Sequence, residues 1–301
     1  MQKHFIQSLA IAGILSVSLM VRAQTDEAPG PVSLPGSELR RFHSSTMDQD
    51  MLVYVQLPLD YVSDGSREYP VWYVTDANRS FPIIANISTV LGYPPTGFPQ
   101  VIVVGIGYEI QSMADWAAFR TRDLTPTVNE GTEKYWEELL ARFTGGDTIH
   151  VETGGASRFL SFIADEVIPF IESEYRVSPK KRTLAGYSYG GLFTLFALFD
   201  RPGLFNHYFA GSPSIHYDDQ VMLRLEEEFS YNHSDLPAKL FMCKGGLEDT
   251  SGIEDMNKMA EVLLSRHYPG LEIITHVFED ETHSTAMAAS FMRGFTILNV
   301  D

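Results

Sequence analysis

The run Gly186-Tyr187-Ser188-Tyr189-Gly190 sets a serine between two glycines. An apolar, strand-like approach from Arg182 to Ala185 leads into it, and an apolar, helix-like run from Leu192 to Phe199 follows. A serine acts as a nucleophile only where its hydroxyl is exposed and a base can take its proton. A strand-to-helix turn this tight leaves no room for a Cβ two positions before or after the serine. It lifts the Ser188 hydroxyl above the sheet and frees the next backbone N–H, that of Tyr189, to stabilise an oxyanion. The chemistry would be acyl transfer through a covalent serine intermediate. Five residues alone are a weak signal, so the reading depends on a base and an acid in the right places.

In the matching chain order the acid follows the serine and the histidine comes last, each at the end of a later strand. Of nine histidines, His4 lies in the N-terminal segment and His43 and His150 precede the serine. His207, His233, His267 and His276 fall inside or just before predicted elements. His216 follows the Gly211–Ser214 motif, whereas His283 follows the predicted strand Ile273–Phe278 by a short polar loop and stands just before a helix start at Ser284. For the acid, the predicted strand Lys239–Cys243 runs out into Lys244-Gly245-Gly246-Leu247-Glu248-Asp249. A carboxylate just past a strand end can lean over the sheet and hold the histidine Nδ1–H. Glu248 is the preferred acid and Asp249 the alternative, with Glu279, Asp280 and Glu281 as local competitors.

Elements able to position these groups alternate along the chain. Strands are expected at Leu39–Ser45, Leu52–Leu57, Val71–Thr75, Val101–Gly105, Arg182–Ala185, His207–Ala210, Lys239–Cys243 and Ile273–Phe278. The middle ones are continuous β-branched and aromatic runs, as parallel strands covered on both faces should be. Phe159, Phe162, Ile163, Val167, Phe170 and Ile171 recur at helical spacing, and further helices are expected over Asp255–Arg266 and Ser284–Leu298. Two antiparallel starting strands followed by β-α units predict an α/β fold, a doubly wound, mostly parallel sheet with helices on both faces. Residues 107–155 interrupt the alternation with a mostly irregular insertion holding one helical piece, Thr132–Phe143. An insertion leaving the sheet at the carboxyl end of a strand is expected to act as a lid or pocket wall.

With 301 residues and 44% hydrophobic content the chain can bury one large core. Residues 1–23 read as a secretory signal: Lys3 and His4 precede an apolar run, and Val21-Arg22-Ala23 offers a cleavage site. Cleavage there moves the formal charge from −17 to −19, since Lys3 and Arg22 leave with no acid. A surface this acidic argues against nucleic acid and anionic membranes as partners. Residues 24–37 read as a linker, with acids, prolines and glycines in one short run, and 38–301 as the single folded domain. Cys243 is the sole cysteine, so no intrachain disulfide forms; it reads as a buried, inert thiol. An exported chain of this size without disulfides fits a bacterial periplasm or secretion. No histidine/cysteine cluster has metal-ligand spacing, and neither metal nor organic cofactor is expected. A Ser-x-x-Lys signature at Ser178–Lys181 lies in a charged turn rather than at a helix start and is set aside.

Taken together, the motifs from about residue 38 onward resemble the "putative esterase" group of the α/β-hydrolase superfamily. The similarity is to its esterase D branch, which includes enterochelin- and salmochelin-type siderophore esterases. It rests on residues 69–77 (YPVWYVTDA), 120–127 (RTRDLTPT), 154–156 with Phe159-Leu160, the serine turn, Gly211-Ser212-Pro213-Ser214, Gly245-Gly246-Leu247-Glu248-Asp249 and Glu281-Thr282-His283. The resemblance implies that Ser188 and His283 are catalytic, and that the acid three residues past Gly245 is Glu248. It implies ester hydrolysis through an acyl-enzyme, and a second oxyanion donor just after Asp76, from Ala77 or Asn78. There is no His-Gly-Gly-Gly motif of the lipase type. Tyr187, His216 and Tyr217, together with Arg122, are the candidate pocket residues; Arg79, Arg120 and Arg122 would form a basic patch if they converge. Arg122 or Asp123 is alternatively a brace for the insertion. The expected partner is a small-molecule ester, a siderophore trilactone or a small acyl ester of a carbohydrate. An acyltransferase of the same fold and a non-catalytic secreted binding protein are the alternatives.

Overall fold

The computed structural model describes residues 32–300 apart from 64, 94–95 and 147–148. The expected signal segment and most of the expected linker lie outside the described residues. Eight strands form one sheet: β1 (Ser37–Ser44), β2 (Gln49–Gln56), β3 (Tyr69–Val74), β4 (Ile102–Tyr108), β5 (Val177–Tyr187), β6 (His207–Gly211), β7 (Ala238–Gly245) and β8 (Leu271–Phe278). Their spatial order is β1-β2-β4-β3-β5-β6-β7-β8. The pairs β1–β2 and β2–β4 are antiparallel and every later pair is parallel. All eight coincide with expected strands, seven of them one to three residues longer and β5 seven residues longer.

Side chains alternate between the two faces of a strand, and the core divides accordingly. Trp72 and Val74 pack with Phe209, Phe241 and Phe291 under α1 (Ala77–Leu91) and α9 (Ala286–Leu298). Val71 and Tyr73 pack on the opposite face with Leu184, Leu192 and Phe193. That face is covered by α4 (Ala156–Phe162) and α5 (Ile168–Glu174), which flank a π-helical turn at Ile163–Val167, and by α6 (Tyr189–Asp200), α7 (Tyr217–Ser230) and α8 (Thr250–Arg266). β4 is buried along all seven residues, which only a strand covered on both sides achieves.

The insertion is less irregular than its sequence implies. Besides α3 (Glu130–Phe143) it contains α2 (Met113–Asp123), opened by a capping box in which Ser112 and Asp115 each satisfy the other's backbone N–H. Its buried residues are Ala114, Ala117, Ala118, Arg120, Thr121 and Asp123. With so few large apolar side chains, no hydrophobic stripe announces it. The helices α1 and α7 are likewise weakly marked: α1 carries Pro82 inside, and α7 is entered through the left-handed residues Asp218, Asp219 and Gln220.

Candidate active site

The Gly186–Gly190 turn joins β5 to α6 at the carboxyl edge of the sheet. Ser188 has φ 62° and ψ −119°, a conformation a serine adopts only under constraint. A Cβ at Gly186 would run into the Gly190 carbonyl, and one at Gly190 would come within 2.6 Å of Thr75 Oγ1. Gly186 is therefore required for the turn to close on itself, and Gly190 for it to lie beside Thr75 at the end of β3. Ser188 N–H donates to Gly211 O at 2.9 Å, tying the turn to β6. Tyr189 is the first residue of α6, so its N–H has no carbonyl acceptor within the helix.

His283 follows β8 by the expected short loop. Its Nδ1 lies 2.8 Å from Glu248 Oε2, at the end of β7. Ser212, just past β6, lies between them: its hydroxyl is 2.6 and 2.7 Å from the two Glu248 oxygens and 3.0 Å from His283 Nδ1. Gly245 N–H donates to Glu248 Oε1 at 2.8 Å, and the buried Lys244 ammonium stands 3.4 Å from Oε2. Burial works to raise the Glu248 pKa. The bonds from His283, Ser212 and Gly245 and the Lys244 charge outweigh it and hold the carboxyl at about 2. Asp249 faces elsewhere, accepting from the Ser251 N–H at 3.3 Å and hydroxyl at 3.0 Å where α8 begins. The structure thus brings Glu248, not Asp249, to His283.

Ser188, His283, Tyr187, Tyr189 and His216 line one cavity of about 460 Å³ with Asp76, Arg79, Trp116, Arg120, Trp136, Ser214, Ser284 and Met287. Tyr187 donates its hydroxyl to the His283 carbonyl at 2.7 Å. His216 is held below its ordinary pKa, first by burial and then by Lys244 and His283, against the opposing pull of Asp255 and Asp249. On the far wall, Trp136 from α3 donates to the Tyr189 hydroxyl at 3.2 Å, so the insertion does border the cavity. Ala77 and Asn78 open α1 beside the serine turn. The N–H groups of Arg79 and Ser80 both bond to Asp76 O, which leaves those of Ala77 and Asn78 without a helical acceptor. The Asn78 side chain is occupied elsewhere, bonding to the backbone of Tyr108 through both its oxygen and its nitrogen.

Two expected pocket residues are placed differently. Arg122 turns away from Ser188, pairs with the fully buried Asp123 at 2.7 Å and bonds to Gln49. It braces the insertion, as its alternative reading had it. Tyr217 packs edge-on to Tyr189 at 6.0 Å, donates to Thr127 O at 2.6 Å, and lines a neighbouring groove instead. The basic patch is accordingly two arginines, not three: Arg79 and Arg120 both stand over the Trp116 ring, at 5.1 and 4.9 Å. Asp76, Trp116 and Trp136 are site residues that the sequence reading missed, and Ser212 entered it only as part of a motif.

A mostly parallel sheet in this order, with a strained serine turn on its carboxyl edge, defines an α/β-hydrolase fold. The chain belongs to the family described as "Putative esterase", which matches residues 44–145 and 141–292. It is 32% identical over 238 residues to a ferri-bacillibactin esterase of Bacillus subtilis, covering 76% of this chain and 78% of that one. A siderophore enterobactin esterase of Emericella nidulans is 37% identical over 130 residues, 42% of this chain and 40% of its own. Among solved structures, the BES protein from Bacillus cereus superposes with a TM-score of 0.77 at 27% identity, covering 92% of this chain and 100% of that one. An IroE-like serine hydrolase from Shewanella oneidensis gives 0.71 at 25% identity, with 88% and 82% covered. The protein is a carboxylic ester hydrolase.

Proposed function

We propose that this chain hydrolyses esters through an acyl-enzyme on Ser188. His283 Nε2 takes the proton of the Ser188 hydroxyl as Oγ attacks the ester carbonyl. The Glu248 carboxylate holds Nδ1–H and stabilises the imidazolium. The N–H of Tyr189 and those of Ala77 and Asn78 stabilise the tetrahedral oxyanion. The alcohol leaves with the proton from His283, and water, activated by the same imidazole, attacks the acyl-enzyme to release the acid and restore Ser188.

The observation that carries this reading is the 2.8 Å contact between Glu248 and His283 at the lip of the cavity that Ser188 also lines. The cavity walls favour an aromatic, anionic ester. Trp116, Trp136 and Tyr189 offer ring faces, and Arg79 is exposed with no carboxylate partner among the described residues. This local cation offsets the acidic surface. With the names of the relatives, it supports a siderophore lactone as substrate ahead of small acyl esters of carbohydrates. The expected export of the chain would place this reaction in the periplasm or outside the cell.

Ser188→Ala should remain folded, lose p-nitrophenyl ester hydrolysis and resist labelling by a fluorophosphonate. Undiminished activity in that variant would remove the proposal. Iron-loaded and iron-free catecholate trilactones, assayed beside p-nitrophenyl esters of graded length, test the substrate. Release of free acid with no acyl-acceptor product identifies water as the acceptor.

A further inference from the structure

Asp76 is the residue immediately before α1, where an aspartate ordinarily turns its carboxylate back onto the first free N–H groups of the helix. Here it makes no such bond, and its backbone is left-handed, φ 55° and ψ 37°. Both carboxylate oxygens go instead to Arg120 on α2, Oδ1 accepting from Nε at 2.9 Å and Oδ2 from Nη2 at 2.8 Å. The two side chains are each 7% exposed. The guanidinium is fixed between the Trp116 ring and the Tyr189 ring, at 4.9 and 5.1 Å from their centroids. A bidentate pair flanked by two aromatic rings has little freedom to rotate. An N-cap carboxylate reaches the N–H of the second or third helical residue, here Asn78 or Arg79, and that of Asn78 is one the proposed mechanism gives to the oxyanion.

We propose that Arg120 is a positioning residue: it withdraws the Asp76 carboxylate from the start of α1 and so keeps the oxyanion site open. It also neutralises a carboxylate that would otherwise face the developing negative charge. This inference rests on the acyl-enzyme reading above. It gives the insertion a task in the chemical step, since α2 contributes the arginine. Without Arg120, the Asp76 carboxylate turns back as an ordinary helix cap and occupies the Asn78 donor.

The decisive comparison is between Arg120→Met and the double variant Asp76→Ala/Arg120→Met, both assayed with p-nitrophenyl acetate. Removal of one oxyanion donor lowers kcat by about 10²- to 10³-fold. Arg120→Met should therefore lose roughly 10²-fold in kcat with KM within about threefold of the parent. Its affinity for a trifluoromethyl ketone, which binds as an oxyanion, should fall in parallel. The double variant, lacking the competing carboxylate, should regain at least about tenfold in both readouts. A double variant no better than the single one overturns the proposal, as does a loss confined to KM. If Arg120→Met does not fold, Arg120→Lys with and without Asp76→Ala carries the same comparison, because lysine keeps the charge but cannot make the two-point contact. Ser188→Ala measured alongside separates the two levels: activity surviving there removes the acyl-enzyme reading itself. Its loss there, with no recovery in the double variant, removes only the role of Arg120.

Discussion

Replacing Glu248 by glutamine keeps the shape of the side chain and removes one of its two full acceptors. The existing oxygens serve the Ser212 hydroxyl, the Gly245 N–H, the His283 Nδ1–H and the Lys244 ammonium. An amide whose oxygen stays on Gly245 and Ser212 turns its NH₂ toward Nδ1. That selects the tautomer carrying its proton on Nε2, the nitrogen that must accept one from Ser188. Loss of a triad carboxylate costs on the order of 10⁴ in kcat, and a fall of about 10³- to 10⁴-fold is expected here. The same carboxyl contributes to stability. Its folded pKa, about 2, lies below the ordinary 4.5. The contribution is therefore complete above about pH 5 and lost as pH falls through 4.5 toward 2. Its size is about 3 kcal/mol. Initial rates with p-nitrophenyl butyrate give the catalytic effect. Denaturant melts of parent and Glu248→Gln at pH 7 and pH 3 should show a stability gap that narrows on acidification. Asp249→Asn, which retains the α8 cap, should keep kcat within about threefold. A glutamine variant with more than a tenth of parental kcat, beside a crippled Asp249→Asn, would refute the assignment.

Two further substitutions probe the surroundings. Tyr187→Phe removes a hydroxyl that donates to the His283 carbonyl at 2.7 Å. One neutral hydrogen bond is worth about 1 kcal/mol, so kcat should fall about fivefold with KM unchanged. Arg122→Ala strands the buried Asp123 carboxyl. The melting temperature should fall by several degrees, from a loss of about 1–3 kcal/mol, while kcat stays within about twofold. A catalytic loss without destabilisation would return Arg122 to the pocket.

The sheet was legible because its strands are short, apolar and bounded by turn residues, and because no other pattern competes in runs such as Ile102 to Ile106. The positions of Ser188, Glu248 and His283 beside one another were legible for a related reason: each follows directly from a strand end, so locating the strand locates the residue. The wall of the cavity was not. Arg120 and Arg122 stand two residues apart, which on a helix separates them by about 200°. One lines the cavity of Ser188 and the other reaches Gln49 of β2 beside the buried Asp123. With α2 read as irregular chain, nothing in the spacing could divide them. Ala114, Ala117 and Ala118 face its buried side, and small side chains leave almost no amphipathic signal. Ser212 escaped for a different reason: its φ of 39° turns the hydroxyl toward Glu248, and such a turn has no local signature at a serine.

Along the edge of the sheet, β3, β5, β6, β7 and β8 are consecutive neighbours. The turn after Asp76, Ser188, Ser212, Glu248 and His283 therefore sit on a ruler graduated in strand spacings of about 4.8 Å. Serine and acid are two graduations apart, and the intervening mark carries the hydroxyl that touches both Glu248 and His283. On such a ruler, lengthening a connecting helix on the far side of the sheet's carboxyl edge leaves the graduations where they are. A slip of one residue in β6 would turn every one of its side chains to the opposite face. The loops that meet the substrate can thus change length without disturbing the spacing of Ser188, Glu248 and His283, which the strand registers hold.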